Sequence, residues 1–107
     1  MRFEIILSPN AVRQYRQMPA RVRAQVRDAI ERHLRHEPTK VSKSRIKRLR
    51  SLDRPQYRLR VEDTRVFYDV HASTVEVLAI VSKAEAQAWL DDEGTTSAAG
   101  GPGGGQG

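Results

Sequence analysis

Between Arg54 and Val81 the chain alternates apolar and polar residues twice in close succession, and this restricts the fold more than any other stretch. Tyr57, Leu59 and Val61 interleave with Arg58, Arg60 and Glu62, the period-2 pattern of a strand with one buried and one wet face. After the polar Glu62-Asp63-Thr64 break, Val66, Tyr68 and Val70 repeat the pattern, so the two segments are expected to pair as an antiparallel hairpin. Any turn of even length puts Arg58, Arg60 and Arg65 on one face, because opposed residues of antiparallel strands share a side. Like charges opposed across a hairpin are destabilising. A chain that keeps three of them there is expected to present them to something anionic. Tyr57 and Tyr68 fall on the opposite, core face. Val75 to Val81 is almost wholly apolar and is expected to be a central strand covered on both sides.

Upstream, Arg2 to Leu7 reads as a strand, and Ser8-Pro9 as a helix N-cap followed by proline at the first helical position. Val12, Tyr15 and Met18 form the apolar side of a short helix that Pro19 ends. A longer helix is predicted from about Ala20 to His36, with Val22, Val26, Ala29, Ile30 and Leu34 as one stripe at helical spacing. Two helices with apolar stripes need a sheet to cover. Pro38 to Arg45 is a polar loop, Ile46 to Leu52 a basic strand, and Pro55 precedes the hairpin where a missing N–H is harmless. Ala84 to Asp92 is a short helix that Trp89 and Leu90 anchor. His33 and His36 read as ordinary helix residues. The predicted class is α+β, one mostly antiparallel sheet with a helix pair on one face and the arginine patch on the other.

Composition sets the boundaries. All seven glycines fall between Gly94 and Gly107, in a run of Gly, Ser, Thr, Ala, Pro and Gln without periodicity. This reads as a disordered tail (94–107) behind a single domain (1–93). A domain of that size buries only about 60% of its unfolded surface and is marginal alone. The chain has no cysteine and no apolar run near the roughly 18 residues of a membrane span, so the expectation is a cytoplasmic protein without membrane contact. Charge is uneven. Residues 1–39 carry eight Lys/Arg against four Asp/Glu, residues 40–65 carry ten against three, and residues 66–107 carry one against six. The middle third is the electrostatic footprint and points to nucleic acid. Within and beside it Lys43, Arg45, Lys47, Arg48 and Arg50 are candidate RNA-binding residues. Phe67, on the arginine face, either stacks a base or packs under the C-terminal helix.

Taken together, these segments resemble the RelE/ParE superfamily of bacterial toxins from type II toxin–antitoxin systems. The resemblance covers about residues 2–90 and rests on Ser8-Pro9-x-Ala11, the paired helices, Ile46-Lys47-Arg48-Leu49-Arg50, and Tyr57-Arg58-Leu59-Arg60-Val61-x-Asp63-x-Arg65-Val66-x-Tyr68. It implies a RelE-like fold and, in the RelE branch, a ribosome-dependent endoribonuclease that cuts mRNA with basic side chains and no metal or other cofactor. Arg58, Arg60 and Arg65 then take the catalytic positions, for guanidinium forks aimed at a phosphorane lower the barrier electrostatically. Where RelE-type nucleases carry an arginine past the last strand and a C-terminal tyrosine, this chain reads Lys83-Ala84-Glu85 and Ala88-Trp89-Leu90. Lys83 is the substitute candidate for the lost charge. His71, placed in the loop after the second hairpin strand roughly 20 Å from Arg65, is not expected to be a base. The resemblance also implies a cognate antitoxin encoded by an adjacent frame, a hetero-oligomer with it, and the ribosome and mRNA as targets. The same fold also serves ParE-like poisons of DNA gyrase, and a catalytically inactive antitoxin-binding module is the third possibility.

Overall fold

The computed structural model describes residues 1–96. Strand β1 (Glu4–Leu7) is followed by helices α1 (Pro9–Gln17) and α2 (Ala20–Ala29), the latter widening into a π-helical turn over Ile30–Leu34. Four strands come next, β2 (Ile46–Arg48), β3 (Tyr57–Val61), β4 (Thr64–His71) and β5 (Thr74–Ser82), and helix α3 (Lys83–Glu93) closes the fold. The sheet order is β1-β5-β4-β3-β2, with β1 parallel to β5 and every other pair antiparallel. This is the expected α+β architecture.

Local chemistry explains the element ends. The Ser8 hydroxyl accepts the Ala11 N–H at 3.1 Å and donates to the Leu78 carbonyl at 3.0 Å, capping α1 and tying it to β5. Leu78 is the residue left over where the β4–β5 register shifts, since Phe67 pairs with Ala79 but Tyr68 with Val77. Ser82 caps α3 by accepting the Glu85 N–H at 3.2 Å. The helix predicted to reach His36 ends earlier because Arg35 is engaged at the sheet edge. Its carbonyl accepts the Phe3 N–H at 2.7 Å, and its guanidinium donates to the Phe3 carbonyl and pairs with Glu31. Strand β2 is shorter than the predicted Ile46–Leu52. Pairing with β3 stops at Arg48–Tyr57, after which Leu49 turns to join an apolar cluster under α3. The first strand likewise starts at Glu4 rather than Arg2, Lys83 is already helical, and His71 ends β4 instead of lying in a loop.

Composition assigns Gly94 and Thr95 to the tail, but both are bonded to the domain. The Gly94 N–H donates to Leu90 O, and Thr95 forms a β-bridge with Arg54. A Cβ at position 94 would sit 2.6 Å from that same carbonyl oxygen and 3.2 Å from the Leu52 methyls, so glycine fits where alanine would collide. Residues 97–107, the rest of the expected tail, lie outside the described residues.

Two apolar layers sandwich the sheet. On one face Leu59, Val61, Val66, Tyr68, Val75, Val77 and Ile80 meet Ala11, Val26, Ile30 and Leu34 from the helices. On the other, Phe67, Ala79 and Val81 meet Leu49, Ala86, Trp89 and Leu90. The predicted core positions Tyr57 and Tyr68 stack on each other with centroids 5.4 Å apart, and the Tyr68 hydroxyl donates to the buried Pro38 carbonyl at 2.6 Å. Burial drives the Tyr68 pKa far up, so the phenol stays a donor at any working pH. Tyr68→Phe keeps the ring and strips the Pro38 carbonyl of its partner. The expected cost is about 1–3 kcal/mol, read as a lower urea midpoint. An unchanged midpoint would show that this bond contributes nothing.

Candidate functional site

Strand register builds the site. Lys47, Arg58, Phe67 and Ala79 stand opposite one another across β2 to β5, and Arg60, Arg65 and Val81 form the neighbouring row across β3 to β5. Both rows face α3, away from α1 and α2. Arg58, Arg60 and Arg65 thus share one face, as the alternation predicts. The β3–β4 turn that fixes this is the two-residue Glu62-Asp63, in which Glu62 adopts φ 54°.

Arg65 is the most constrained of the three. It is 8% exposed and paired on both sides of its strand, and its Nη1 donates to the Glu62 and Thr64 carbonyls at 2.8 and 3.0 Å. Burial, then the charges of Arg58 and Arg60, push its pKa below the usual arginine value, with Asp63 pulling the other way. It remains a guanidinium with donors to spare. The Arg58 Nε is buried without a hydrogen-bond partner among the described residues. Such a donor is held ready for an acceptor. Lys83, the first residue of α3, is exposed, and its backbone N–H is fixed by the Asp63 carbonyl at 2.7 Å.

Between the sheet and α3 runs a cleft of about 480 Å³ whose lining includes Lys47, Arg58, Arg65, Lys83, Gln87 and Asp91. Arg60 stands one row further out, exposed, beside Arg45 and Glu62. Lys43 and Arg50 are exposed outside the cleft. Arg48 goes to the other face. Its guanidinium lies 5.2 Å over the Tyr57 ring and donates to the Gln56 carbonyl at 2.8 Å, so it does not join the other candidates. Phe67 takes the packing alternative. It is fully buried and stacked on Trp89 with centroids 5.0 Å apart, leaving no ring face for a base. Gln87 and Asp91 are additions that sequence reasoning did not pick out. The signal is there, since Lys83, Ala86, Gln87, Leu90 and Asp91 fall at i, i+3, i+4, i+7 and i+8 and form the cleft-facing stripe of α3.

The histidines stand apart. His71 lies further along β4 beside Asp69 and Glu76, and His33 lines a separate hollow with Glu37, Lys40, Ser42, Arg45 and Ile46. Burial, then Arg45 and Arg32, lower the His33 pKa below its ordinary 6.5. Between that folded value and 6.5 the unfolded chain binds more protons. Stability therefore rises with pH through this window and is lost as pH falls through it. His33→Gln is expected to flatten the Tm-against-pH curve below about pH 6.5, where the parent loses this stability. A slope identical to the parent's would refute this.

Comparison with solved structures places the fold. The chain is similar to the RelB–RelE antitoxin–toxin complex from Methanococcus jannaschii (TM-score 0.62, 16% identity, 79% of this chain and 98% of that one). It is also similar to the toxin–antitoxin complex RelBE2 from Mycobacterium tuberculosis (0.61, 21%, 77% and 99%) and the RelE–RelB complex from Pyrococcus horikoshii (0.51, 18%, 78% and 97%). At these identities the likeness is one of fold. The sheet, the helical hairpin and the capping α3 define the class, a RelE-like α+β toxin fold. The chain belongs to the RelE/ParE superfamily of type II toxins, because the family model described as ParE toxin of the type II toxin–antitoxin system parDE matches residues 5–87. No curated protein sequence matches it.

Proposed function

We propose that this toxin is a metal-independent, ribosome-dependent endoribonuclease whose working surface is the cleft between the sheet and α3. One observation carries the reading: Lys47, Arg58, Arg65 and Lys83 converge on one cleft, and the most buried of them, Arg65, is anchored by two backbone carbonyls. In the reaction the 2′-oxygen of a ribose bonds to the adjacent phosphorus and the bond to the 5′-oxygen breaks, leaving a 2′,3′-cyclic phosphate and a 5′-hydroxyl. The 2′-proton passes to solvent or a neighbouring acceptor, and the 5′-oxygen takes one up. Between these states charge builds on the equatorial oxygens. Arg58 and Arg65 offer fixed donors to it, while Lys47 and Lys83 hold the flanking phosphates. The need for a 2′-hydroxyl restricts such a site to RNA.

The second reading is a ParE-like poison of DNA gyrase. It is favoured by the ParE description of the matching family and by the cleft's side chains, since the residues lining it include no histidine and a single carboxylate, Asp91. In either reading the partner is an antitoxin from an adjacent frame, as in the RelB complexes of the solved relatives. An acidic segment would neutralise the basic third and stabilise a marginal domain by mass action. Induction without the partner, followed by primer extension on mRNA and a gel for chromosome breaks, separates the two. Cuts at A-site codons support the nuclease. Growth arrest with gyrase-linked breaks and intact mRNA would overturn it.

A further inference from the structure

We infer that the sheet carries a binding site for a divalent transition-metal ion of the zinc class, formed by Asp69, His71 and Glu76. Asp69 and His71 stand two residues apart on β4 and so project from the same face, and Glu76 is the direct cross-strand partner of Asp69 on β5. Their ligating atoms all lie within 4.8 Å of one another, with His71 Nε2 4.0 Å from both Asp69 Oδ2 and Glu76 Oε1. Two donors about 2.1 Å from one ion at a tetrahedral angle are about 3.4 Å apart, so small side-chain rotations of His71 and Glu76 complete the set.

The Asp69 carboxylate is the fixed member. Its side chain is 3% exposed, its Oδ1 accepts the Gln56 N–H at 2.7 Å, and its Oδ2 accepts no hydrogen bond among the described residues while facing the other two ligands. A carboxylate held by a hydrogen bond on one oxygen, here the Gln56 N–H on Oδ1, has its other oxygen aimed as a ligand. Imidazole with two carboxylates suits zinc-class ions over calcium or magnesium, and the exposed His71 leaves the remaining positions to water. Arg54 shares the cluster, with Nε 3.7 Å from Asp69 and Nη2 3.5 Å from Glu76, both longer than well-formed hydrogen bonds. A half-exposed guanidinium held that loosely can swing into solvent when an ion of higher charge arrives. Arg54 is also the residue whose backbone bridges Thr95, so the ion would sit where the chain leaving α3 is pinned.

The test is titration of the full chain, produced without a histidine tag, with Zn²⁺ by calorimetry and with Co²⁺ by visible absorbance. Expected are one ion per chain and a tetrahedral or five-coordinate Co²⁺ spectrum. His71→Ala, an exposed position whose loss leaves the fold intact by melting, should weaken binding by more than about tenfold, the least that even an outer-shell partner contributes. Arg54→Ala should tighten it, and His33→Ala should leave it unchanged. Absence of binding by the parent, or parental affinity in His71→Ala, would overturn the assignment.

Discussion

Arg65→Ala is expected to abolish growth arrest on induction and to slow mRNA cleavage by about 10²–10³-fold, the loss of roughly 3–4 kcal/mol that follows removal of one preorganised donor to a developing oxyanion. Two features single this arginine out. Its side chain is buried, and two carbonyls hold one nitrogen of the fork while the others have no hydrogen bond among the described residues. Substrate can then meet a donor that needs no reorganisation. The same bonds make the fold control necessary, since alanine frees the Glu62 and Thr64 carbonyls. Glu62 and Asp63 are exposed, so water can take up part of that demand, and melting should show a folded variant. Arg65→Lys keeps the charge but not the planar fork and should recover only part of the rate. Arg60→Ala, at an exposed position, should cost less and lower the salt slope by about one. Cleavage by Arg65→Ala at near the parental rate would sink the assignment of Arg65 to the reacting phosphate.

Phe67→Ala should lower stability by roughly 3–5 kcal/mol, a large share of the 5–15 kcal/mol that holds a typical domain together. The ring is fully buried beneath Trp89, and α3 itself has no fully buried residue, so its attachment depends on Ala86, Trp89 and Leu90 meeting Phe67, Ala79 and Val81. An alanine there removes the floor on which the helix sits, and the cleft loses one wall. Phe67→Leu, which refills most of the volume, should retain both the urea midpoint and the activity. A leucine variant with parental stability but no activity would restore the base-stacking role that burial now denies.

The contrast between Phe67 and the arginines shows what alternation can convey. Period-2 parity assigns each strand residue to a side, which is enough to gather Arg58, Arg60 and Arg65 and to send Tyr57 and Tyr68 to the helices. It does not say what covers that side. Only the packing of α3 decides that Phe67 is core while Arg58, its cross-strand neighbour, reaches the cleft. Arg48 illustrates a second limit. Strand β2 has three residues, too few to show its own alternation, and its parity comes from pairing with Tyr57. The C-terminal boundary was obscured for a third reason, because glycine at position 94 looks compositionally like tail while its missing Cβ is what lets the helix end fit against Leu52.

The parallel pairing of β1 with β5 has a bearing on synthesis. The strand made first finds its sheet partner only when the last strand has emerged, and the links that hold α1 down, from Ser8 to Leu78 and from the Gln14 side chain to Ile80, span 70 and 66 residues of chain. Closing such long loops is slow and cannot begin until both ends exist. Arg65 likewise lacks one of its flanking strands until Val81 is in place. A growing polypeptide of this sequence therefore has no assembled cleft before its last strand is made. The basic face and the cleft that would meet a target or a partner are assembled together, at the end of synthesis.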